Sequence, residues 1–249
     1  GITWDSQAHS EYDEAWSKAA ILQQRHQPFH IFETIKFDGD SMVLLDRHLH
    51  RMAQSAAYFG FRFDEQQARS SLNTVHGAAQ RIRLLLDGAG KFELQSTPMH
   101  QPCDQPQAFA VAHTPIDPAN RWLYHKTTNR DVYDQHRAQH DGVFDVLLWN
   151  ERGEITEFTI GNVVLEIDGI NWTPPRGSGL LAGTLREELL AQGMIHERVL
   201  TLDDLNHAAK IWLINSVRGW VAMHTDSSST DLAPLLLNLG QFRHCHRKE

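Results

Sequence analysis

Residues 124–130, YHKTTNR, place a single lysine among small polar side chains. Lys126 directly follows His125, and Arg130 lies a few residues farther along the chain. Most lysines are solvated surface residues, and this is one interpretation of Lys126. The other is a reactive amine, because a lysine condenses with an aldehyde to form a Schiff base when burial or a nearby cation lowers its pKa.

A second candidate is a glutamate farther along the chain, in GEITEFTIGN (residues 153–162). Glu157 lies there among Ile155, Phe158 and Ile160, in a pattern typical of a strand. It is either a solvated glutamate of an edge strand or a carboxylate held against apolar surface. In the second case it could keep a pyridine nitrogen protonated and so make that ring an electron sink.

Two further stretches could bind an anion. LAGTLRE (181–187) and INSVRGW (214–220) both place small residues where a helix or a turn begins, and the backbone N–H groups exposed at such starts bind phosphate. Arg51, in RHLHRM (47–52), would add a guanidinium fork. Each of these features alone is weak evidence, because most helices begin in this way.

The composition indicates a small-molecule partner. The chain of 249 residues carries a formal net charge of -8, and its 23 basic residues are scattered. This pattern argues against nucleic acid and against an anionic membrane surface as partners. No run approaches the roughly 20 apolar residues that span a bilayer.

The cysteines and histidines predict neither a disulfide nor a metal site. Cys103 and Cys245 are far apart and fit no disulfide framework, which favours a reducing, cytoplasmic location. The HCH segment at residues 244–246 has no second ligand group at a structural-zinc spacing, so we interpret it as a solvated tail.

Hydrophobic periodicity predicts an α+β protein with mostly antiparallel sheets. The predicted helices cover 11–24, 49–61 and 183–193, and a β-hairpin with an Asp-Gly turn is predicted over 28–49. The predicted strands lie on both sides of residues 87–90 and over 108–113, 143–150, 154–160 and 162–168. The proline-rich residues 114–120 are the predicted domain boundary.

Six segments, in the same order, resemble the fold-type IV pyridoxal-phosphate enzymes, the family of branched-chain and D-amino-acid aminotransferases and of aminodeoxychorismate lyase. The segments are FETI, RHLHRM, HKTTNR, EITEFTIGN, GLLAGTLRE and NSVRG. The resemblance implies a two-domain α+β fold with pyridoxal 5'-phosphate in the cleft between a small domain, residues 28–120, and a larger one, residues 121–249. It also implies a homodimer in which each subunit helps to close the other's site.

The resemblance also implies a role for particular residues. Lys126 would be the Schiff-base lysine and the general acid and base, Glu157 the partner of the pyridine nitrogen, and Arg51 a phosphate ligand. The other cofactor-binding residues that it implies are Leu181 on the ring face, the backbone of Thr184 and Leu185 with the hydroxyl of Ser216 at the phosphate, and Asn162 and Asn215 in the same motifs.

Within the family, FETI and NSVRG resemble the lyase branch, especially lyases fused behind a chorismate-using para-aminobenzoate synthase. Residues 1–27 resemble the closing helical segment of such a synthase, where the counterparts of Glu11 and Glu14 help to bind magnesium. The rest of that metal site is absent from the sequence, so no metal is expected. The chain is expected to be a domain fused to such a synthase, or a partner of one.

The expected function is elimination of pyruvate from 4-amino-4-deoxychorismate, which gives 4-aminobenzoate for folate biosynthesis. Thr34 would position the substrate or the proton. The expected ligands of the substrate carboxylates are Arg83, His113, Arg130 and Arg218, and a strand face exposed to solvent explains Arg83 about as well. Two alternatives remain, an aminotransferase of branched-chain or D-amino acids and a non-catalytic domain that binds a synthase partner.

Overall fold

The computed structural model describes residues 28–99 and 105–225, which form two β-sheets with short helices around them. The predicted helix over 11–24, with Glu11 and Glu14, lies outside the described residues, as do Cys103, Cys245 and the segment 244–246. None of the helices in the described part of the chain is long and apolar enough to cross a membrane.

The first sheet has three antiparallel strands in the order β1-β2-β3. Its strands are β1 (Ile31–Phe37), β2 (Gln80–Leu86) and β3 (Phe92–Pro98), and two helices follow β1, α1 (Leu45–Phe59) and α2 (Glu65–Leu72). Leu49, Met52 and Ala56 recur at helical spacing on α1 and share a buried core with Ile35 and Ile82 of the sheet.

The predicted hairpin over 28–49 is wrong in its second half. The Asp38 carboxylate accepts the backbone N–H groups of Asp40 (2.9 Å) and Ser41 (2.8 Å), which closes the turn as expected. Only one isolated bridge, between Phe37 and Met42, follows the turn, and α1 then begins at Leu45. The apolar residues of α1 explain why a helix forms here instead of a second strand. Their spacing places them on one face of a helix, which packs against the sheet, whereas a strand would not bring them to one face.

The second sheet has eight strands in the order β10-β11-β4-β5-β6-β7-β8-β9, and β10 also pairs with β7, so that six of the strands close into a barrel. The strands are β4 (Gln107–Val111), β5 (Asp145–Trp149), β6 (Ile155–Phe158), β7 (Gly161–Ile167), β8 (Ile170–Thr173), β9 (His196–Glu197), β10 (Lys210–Asn215) and β11 (Gly219–Thr225). The helices around it are α3 (Asp131–Arg137), α4 (Thr184–Ala191) and α5 (Asp204–His207), with 3-10 turns at Arg121–Tyr124 and Arg176–Ser178.

Parallel pairing occurs where β4 lies between β11 and β5, and again between β8 and β9; the other pairs of strands are antiparallel. The α+β class with mostly antiparallel sheets is therefore confirmed. Strands predicted around residues 87–90 and from 108 to 168 are present, as is the helix predicted over 183–193, which α4 occupies.

The lysine segment joins the two sheets. The backbone N–H of Phe32 donates to the carbonyl of Lys126 (2.9 Å), and that of Thr128 donates to the carbonyl of His30 (2.9 Å). These bonds hold Lys126 beside β1, at the seam between the sheets. The division of the chain at residues 120 and 121 stays a prediction.

Candidate active site

A cavity of about 300 Å³ opens at the seam between the two sheets. It collects side chains from both, so that residues far apart in the chain face one another. The residues assigned to the site from the sequence that line it are Thr34, Arg51, Arg83, Lys126, Arg130, Glu157, Asn162, Leu181, Thr184, Asn215, Ser216 and Arg218.

Lys126 is partly exposed because it borders the cavity, yet the surrounding protein desolvates its amine. Desolvation, with the positive charge of Arg51 next in size, lowers the pKa of Lys126 to about 7. The amine also lies 4.9 Å from the centre of the Phe32 ring. A lysine whose pKa is lowered this far is a better nucleophile near neutral pH than a solvated one, so the solvated-surface interpretation does not hold.

Glu157 is buried on β6, with 4% of its surface exposed, so the solvated edge-strand interpretation is wrong. Its Oε1 accepts the Tyr133 hydroxyl (2.8 Å) and the Leu181 N–H (3.0 Å), and its Oε2 accepts the Asn162 amide (3.2 Å). Burial raises the pKa of Glu157 to about 7, although the bonds from Leu181 and Tyr133 act in the opposite direction.

Arg51 reaches the cavity from α1 and is held by a buried carboxylate. Its guanidinium donates to both oxygens of Glu33 (2.8 and 2.6 Å) and to the carbonyl of Ala182 (2.9 Å). Burial alone would raise the pKa of Glu33, but the charges and hydrogen bonds of Arg51 and His48 outweigh it and lower that pKa to about 2. Glu33 therefore stays ionised and orients Arg51.

The start of α4 forms one wall of the cavity. The first hydrogen bond of this helix runs from the N–H of Glu187 to the carbonyl of Gly183 (2.9 Å), so the N–H groups of Thr184 and Leu185 are not used within the helix. Gly183 has no room for a side chain, because the amide oxygen of Asn162 occupies the place of a Cβ. These free donors suit an anion.

The turn between β10 and β11 forms a second wall. The side-chain oxygen of Asn215 accepts the N–H groups of Val217 (3.1 Å) and Arg218 (2.8 Å), and its amide donates to the carbonyl of Ile160 (3.1 Å). Asn215 therefore shapes the turn that carries Ser216 into the lining of the cavity.

Four guanidinium groups line the cavity besides that of Arg51: Arg81, Arg83, Arg130 and Arg218. Arg130 donates to the carbonyl of Thr159 (2.7 Å), whereas no carboxylate among residues 28–99 and 105–225 pairs with the other three. Burial lowers the pKa of Arg83, with Arg130 and Arg81 adding to the effect, and burial with Arg81 lowers that of Arg218. Arg81, Arg83 and Arg218 are therefore cations without a paired carboxylate in the described part of the chain, whereas Arg130 lies 4.0 Å from the carboxylate of Asp134.

Two assigned residues do not reach the cavity. His113 follows the end of β4, is exposed, and packs its ring on His140 with the ring centres 4.2 Å apart, so the structure does not support contact with a substrate. The side chain of Leu185 packs against the core cluster around Leu189, and only its backbone belongs to the helix start.

Sequence reasoning missed Tyr133, Glu33, His48 and Arg81. Glu33 was visible as a charged residue inside the FETI segment, and His48 lies one helical turn before Arg51, a spacing that places both on one face of α1. Arg81 is two residues from Arg83 on β2, a period that puts both on one face of the strand. Nothing in the sequence near Tyr133 indicates that it meets Glu157.

The chain matches a known protein family and a known protein of similar length. The amino-transferase class IV family matches residues 30–224. A Schizosaccharomyces pombe (strain 972) protein with the provisional name aminodeoxychorismate lyase is 34% identical over 201 residues, which are 76% of this chain and 86% of that protein.

Two crystal structures extend the comparison. One, from Mesorhizobium loti and described provisionally as an amino-acid aminotransferase, has a TM-score of 0.74 and 36% identity and covers 80% of this chain and 100% of its own. The other, from Legionella pneumophila and described provisionally as a 4-amino-4-deoxychorismate lyase, has a TM-score of 0.68, covers 86% and 91%, and at 22% identity shows the fold alone.

The family match covers most of the chain and most of the residues that the structure describes. The fold-type IV resemblance of the six sequence segments is thereby confirmed, together with the reliance of this family on pyridoxal 5'-phosphate. The chain belongs to the amino-transferase class IV family of pyridoxal-phosphate-dependent enzymes.

Proposed function

We propose that the protein is a 4-amino-4-deoxychorismate lyase, which eliminates pyruvate from its substrate and leaves 4-aminobenzoate for folate biosynthesis. The observation that carries this proposal is the lining of one cavity by Lys126, Glu157 and four arginines besides Arg51. The first two residues suit the cofactor, and the arginines suit a substrate with two carboxylates.

The residues of the cavity fit pyridoxal 5'-phosphate. The amine of Lys126 would hold its aldehyde carbon, and Glu157 would face the pyridine nitrogen, since only one donor occupies Oε2. Arg51, the first N–H groups of α4 and the Ser216 hydroxyl would surround the phosphate. When bound, the cofactor supplies a protonated ring that accepts the electron pair released from the substrate.

The protein's own part in the reaction is to move a proton and to orient the substrate. Lys126, with a pKa of about 7, can accept the proton from the substrate carbon at Nζ and return it at the same pH. Thr34 lies directly opposite Arg83 in the β1–β2 pairing, so both side chains project from one face of the sheet into the cavity. Thr34 would therefore position the substrate beside a carboxylate-binding group.

The arginines suit the two carboxylates of aminodeoxychorismate, but they would also suit 2-oxoglutarate, the dicarboxylate acceptor of the alternative aminotransferase. A branched-chain amino acid has one carboxylate, so three unpaired guanidinium groups are more than that amino acid alone needs. Identity alone does not separate the two functions, because the chain is 34% identical to a protein named as a lyase and 36% identical to one described as an aminotransferase.

The test is a product assay with the cofactor-loaded chain. Release of pyruvate and 4-aminobenzoate from aminodeoxychorismate, with no amino acceptor present, supports the lyase. Glutamate formed from 2-oxoglutarate, with no pyruvate release, would replace it with the aminotransferase. If incubation with pyridoxal phosphate gives no absorption in the visible range, the non-catalytic alternative is favoured instead.

We also propose a cytoplasmic homodimer that works beside, or fused to, a para-aminobenzoate synthase. The similarity of residues 1–27 to the end of such a synthase supports the last point, and the family resemblance supports the dimer. Light scattering tests the dimer, and a fully active monomer would count against it.

A further inference from the structure

A buried chain of hydrogen bonds links Glu33 on β1, through His48 on α1, to Thr184 at the start of α4. Nδ1 of His48 lies 2.7 Å from Oε2 of Glu33, and its Nε2 lies 3.2 Å from the Thr184 hydroxyl. The three residues are 0%, 1% and 4% exposed, respectively. Both distances are those of direct hydrogen bonds. The direction of each bond therefore follows from the protonation states of the three side chains.

An ionised carboxylate only accepts hydrogen bonds, so Nδ1 of His48 must carry a proton and donate it to Glu33. If His48 is neutral, its Nε2 is then bare and accepts. The Thr184 hydroxyl must therefore donate to His48, which uses the only hydrogen that this hydroxyl has. Its oxygen alone is left to face the cavity.

A phosphate dianion beside Thr184 reverses this arrangement. The dianion only accepts hydrogen bonds, so a hydroxyl that donates to His48 cannot also donate to the phosphate. If His48 gains a proton at Nε2, it donates to the Thr184 oxygen, and the Thr184 hydrogen is free to point at the anion. Each donor and acceptor in this series of hydrogen bonds then has a partner.

The charges around His48 favour this change only when an anion is present. Burial lowers the pKa of His48, and the cations Arg51 and Lys126 lower it further, while Glu33 acts against them. A dianion bound near Thr184 would offset the two cations and raise the pKa again. At pH 8, well above the ordinary value from which its pKa is lowered, His48 is therefore neutral without the anion.

We propose that His48 takes up one proton from solvent when a phosphate dianion binds at the start of α4, and that it thereby positions the Thr184 hydroxyl as a donor to the phosphate. In the proposed function, on which this inference rests for the identity of the anion, the dianion is that of pyridoxal phosphate. His48 is a positioning residue and does not contact the anion itself.

The test is a two-bond proton–nitrogen NMR spectrum of the full chain, labelled with ¹⁵N at histidine, at pH 8. The His48→Gln variant assigns the His48 signals by their absence. Without an anion, we expect one protonated and one bare nitrogen. Saturation with inorganic phosphate should move the bare Nε2 to the protonated position, and an Nε2 that stays bare overturns the inference.

Proton uptake also predicts the pH dependence of affinity. Between pH 8 and 9 the dissociation constant for inorganic phosphate should rise by up to about tenfold more in the wild type than in His48→Gln, which keeps only the proton uptake of Lys126, whose pKa of about 7 a bound anion would also raise. The matched control is His50→Gln, an exposed residue of the same helix that pairs with Gln54, and it should behave as the wild type. An equal pH dependence in His48→Gln would contradict the coupling.

Loading with pyridoxal phosphate separates the two proposals. Visible absorption with a bare Nε2 at pH 8 overturns the proton uptake and leaves the proposed function intact. A protonated Nε2 with inorganic phosphate, but no visible absorption with pyridoxal phosphate, supports the coupling and removes the proposed function.

Discussion

The hydroxyl of Tyr133 donates a 2.8 Å hydrogen bond to Oε1 of Glu157, and both residues are buried. The backbone N–H of Leu181 donates to the same oxygen. With Oε1 doubly occupied, Oε2 keeps a free lone pair for a ring nitrogen. The two donors also stabilise the charged form of a carboxylate whose burial opposes ionisation.

We expect Tyr133→Phe to shift the pH dependence of activity. A hydrogen bond to a charged acceptor contributes roughly 1.5–3 kcal/mol, so its loss should raise the pKa of Glu157 by about one to two units. Turnover at pH 7 should fall roughly 5- to 50-fold, because Glu157 is already about half ionised there with a pKa of about 7, and it should recover toward pH 9, where Glu157 ionises again.

The recovery distinguishes this effect from structural damage, because a misfolded variant would not regain activity at high pH. The control is Tyr58→Phe, since Tyr58 is 57% exposed and lies outside the cavity. Loss of activity at every pH in Tyr133→Phe would contradict the proposed tuning of Glu157.

Replacing Lys126 with alanine should abolish turnover by several orders of magnitude, because one amine serves as covalent partner and proton carrier. Binding of pyridoxal phosphate should partly survive, since Arg51 and the start of α4 do not depend on the amine. Product assays and equilibrium dialysis measure the two effects. Lys91→Ala and Lys210→Ala are the controls, and if either of these abolished activity while Lys126→Ala kept it, the assignment would fail.

Arg81→Ala should weaken binding of a doubly charged substrate while it leaves the fold intact or slightly more stable. Arg81 contributes to the lowered pKa values of Arg83 and Arg218, so its removal relieves repulsion. Loss of one charge-assisted contact of roughly 1.5–3 kcal/mol should raise KM for aminodeoxychorismate about 10- to 100-fold.

Steady-state kinetics and thermal unfolding measure these two effects of Arg81→Ala. Arg69→Ala is the matched control, because Arg69 pairs with Glu65 and Asp46 on the surface of α2. An unchanged KM in Arg81→Ala would remove the residue from the substrate site.

The sequence was sufficient to predict those residues of the cavity that lie within contiguous motifs. Lys126 lies in one such motif and Glu157 in another, and the order of the motifs identified the fold that brings them together. The strands around residues 87–90 were also predictable, because strands of alternating pattern flank a turn of Asp and Gly. In each case the residues within one short segment were enough for the prediction.

Contacts between distant segments could not be predicted in this way. Glu33 and Arg51 are separated by a turn, and His48 meets Thr184 across 136 residues, so their pairing depends on how α1 packs on the barrel. The second half of the predicted hairpin failed for a related reason. Its residues alternate well enough for a strand, but a helix places Leu49 and Met52 on one face, where both are buried in the core.

Gly183→Ala tests whether the start of α4 is built around Asn162. The backbone of Gly183, with φ of -67° and ψ of 140°, suits any residue, so alanine there causes no backbone strain. Its methyl group would instead displace the amide oxygen of Asn162, whose side chain also donates to Glu157 and to the carbonyl of Leu181. Overpacking of this kind costs about 1–3 kcal/mol, and the affinity for pyridoxal phosphate should fall with it.

Urea unfolding and cofactor titration of Gly183→Ala measure both losses. Gly177→Ala is the matched control, because Gly177 has no neighbouring atom within 4 Å of a new Cβ. The control should keep wild-type stability and cofactor affinity. Equal behaviour of the two variants would mean that Asn162 can move aside freely and that the start of α4 is not built around it.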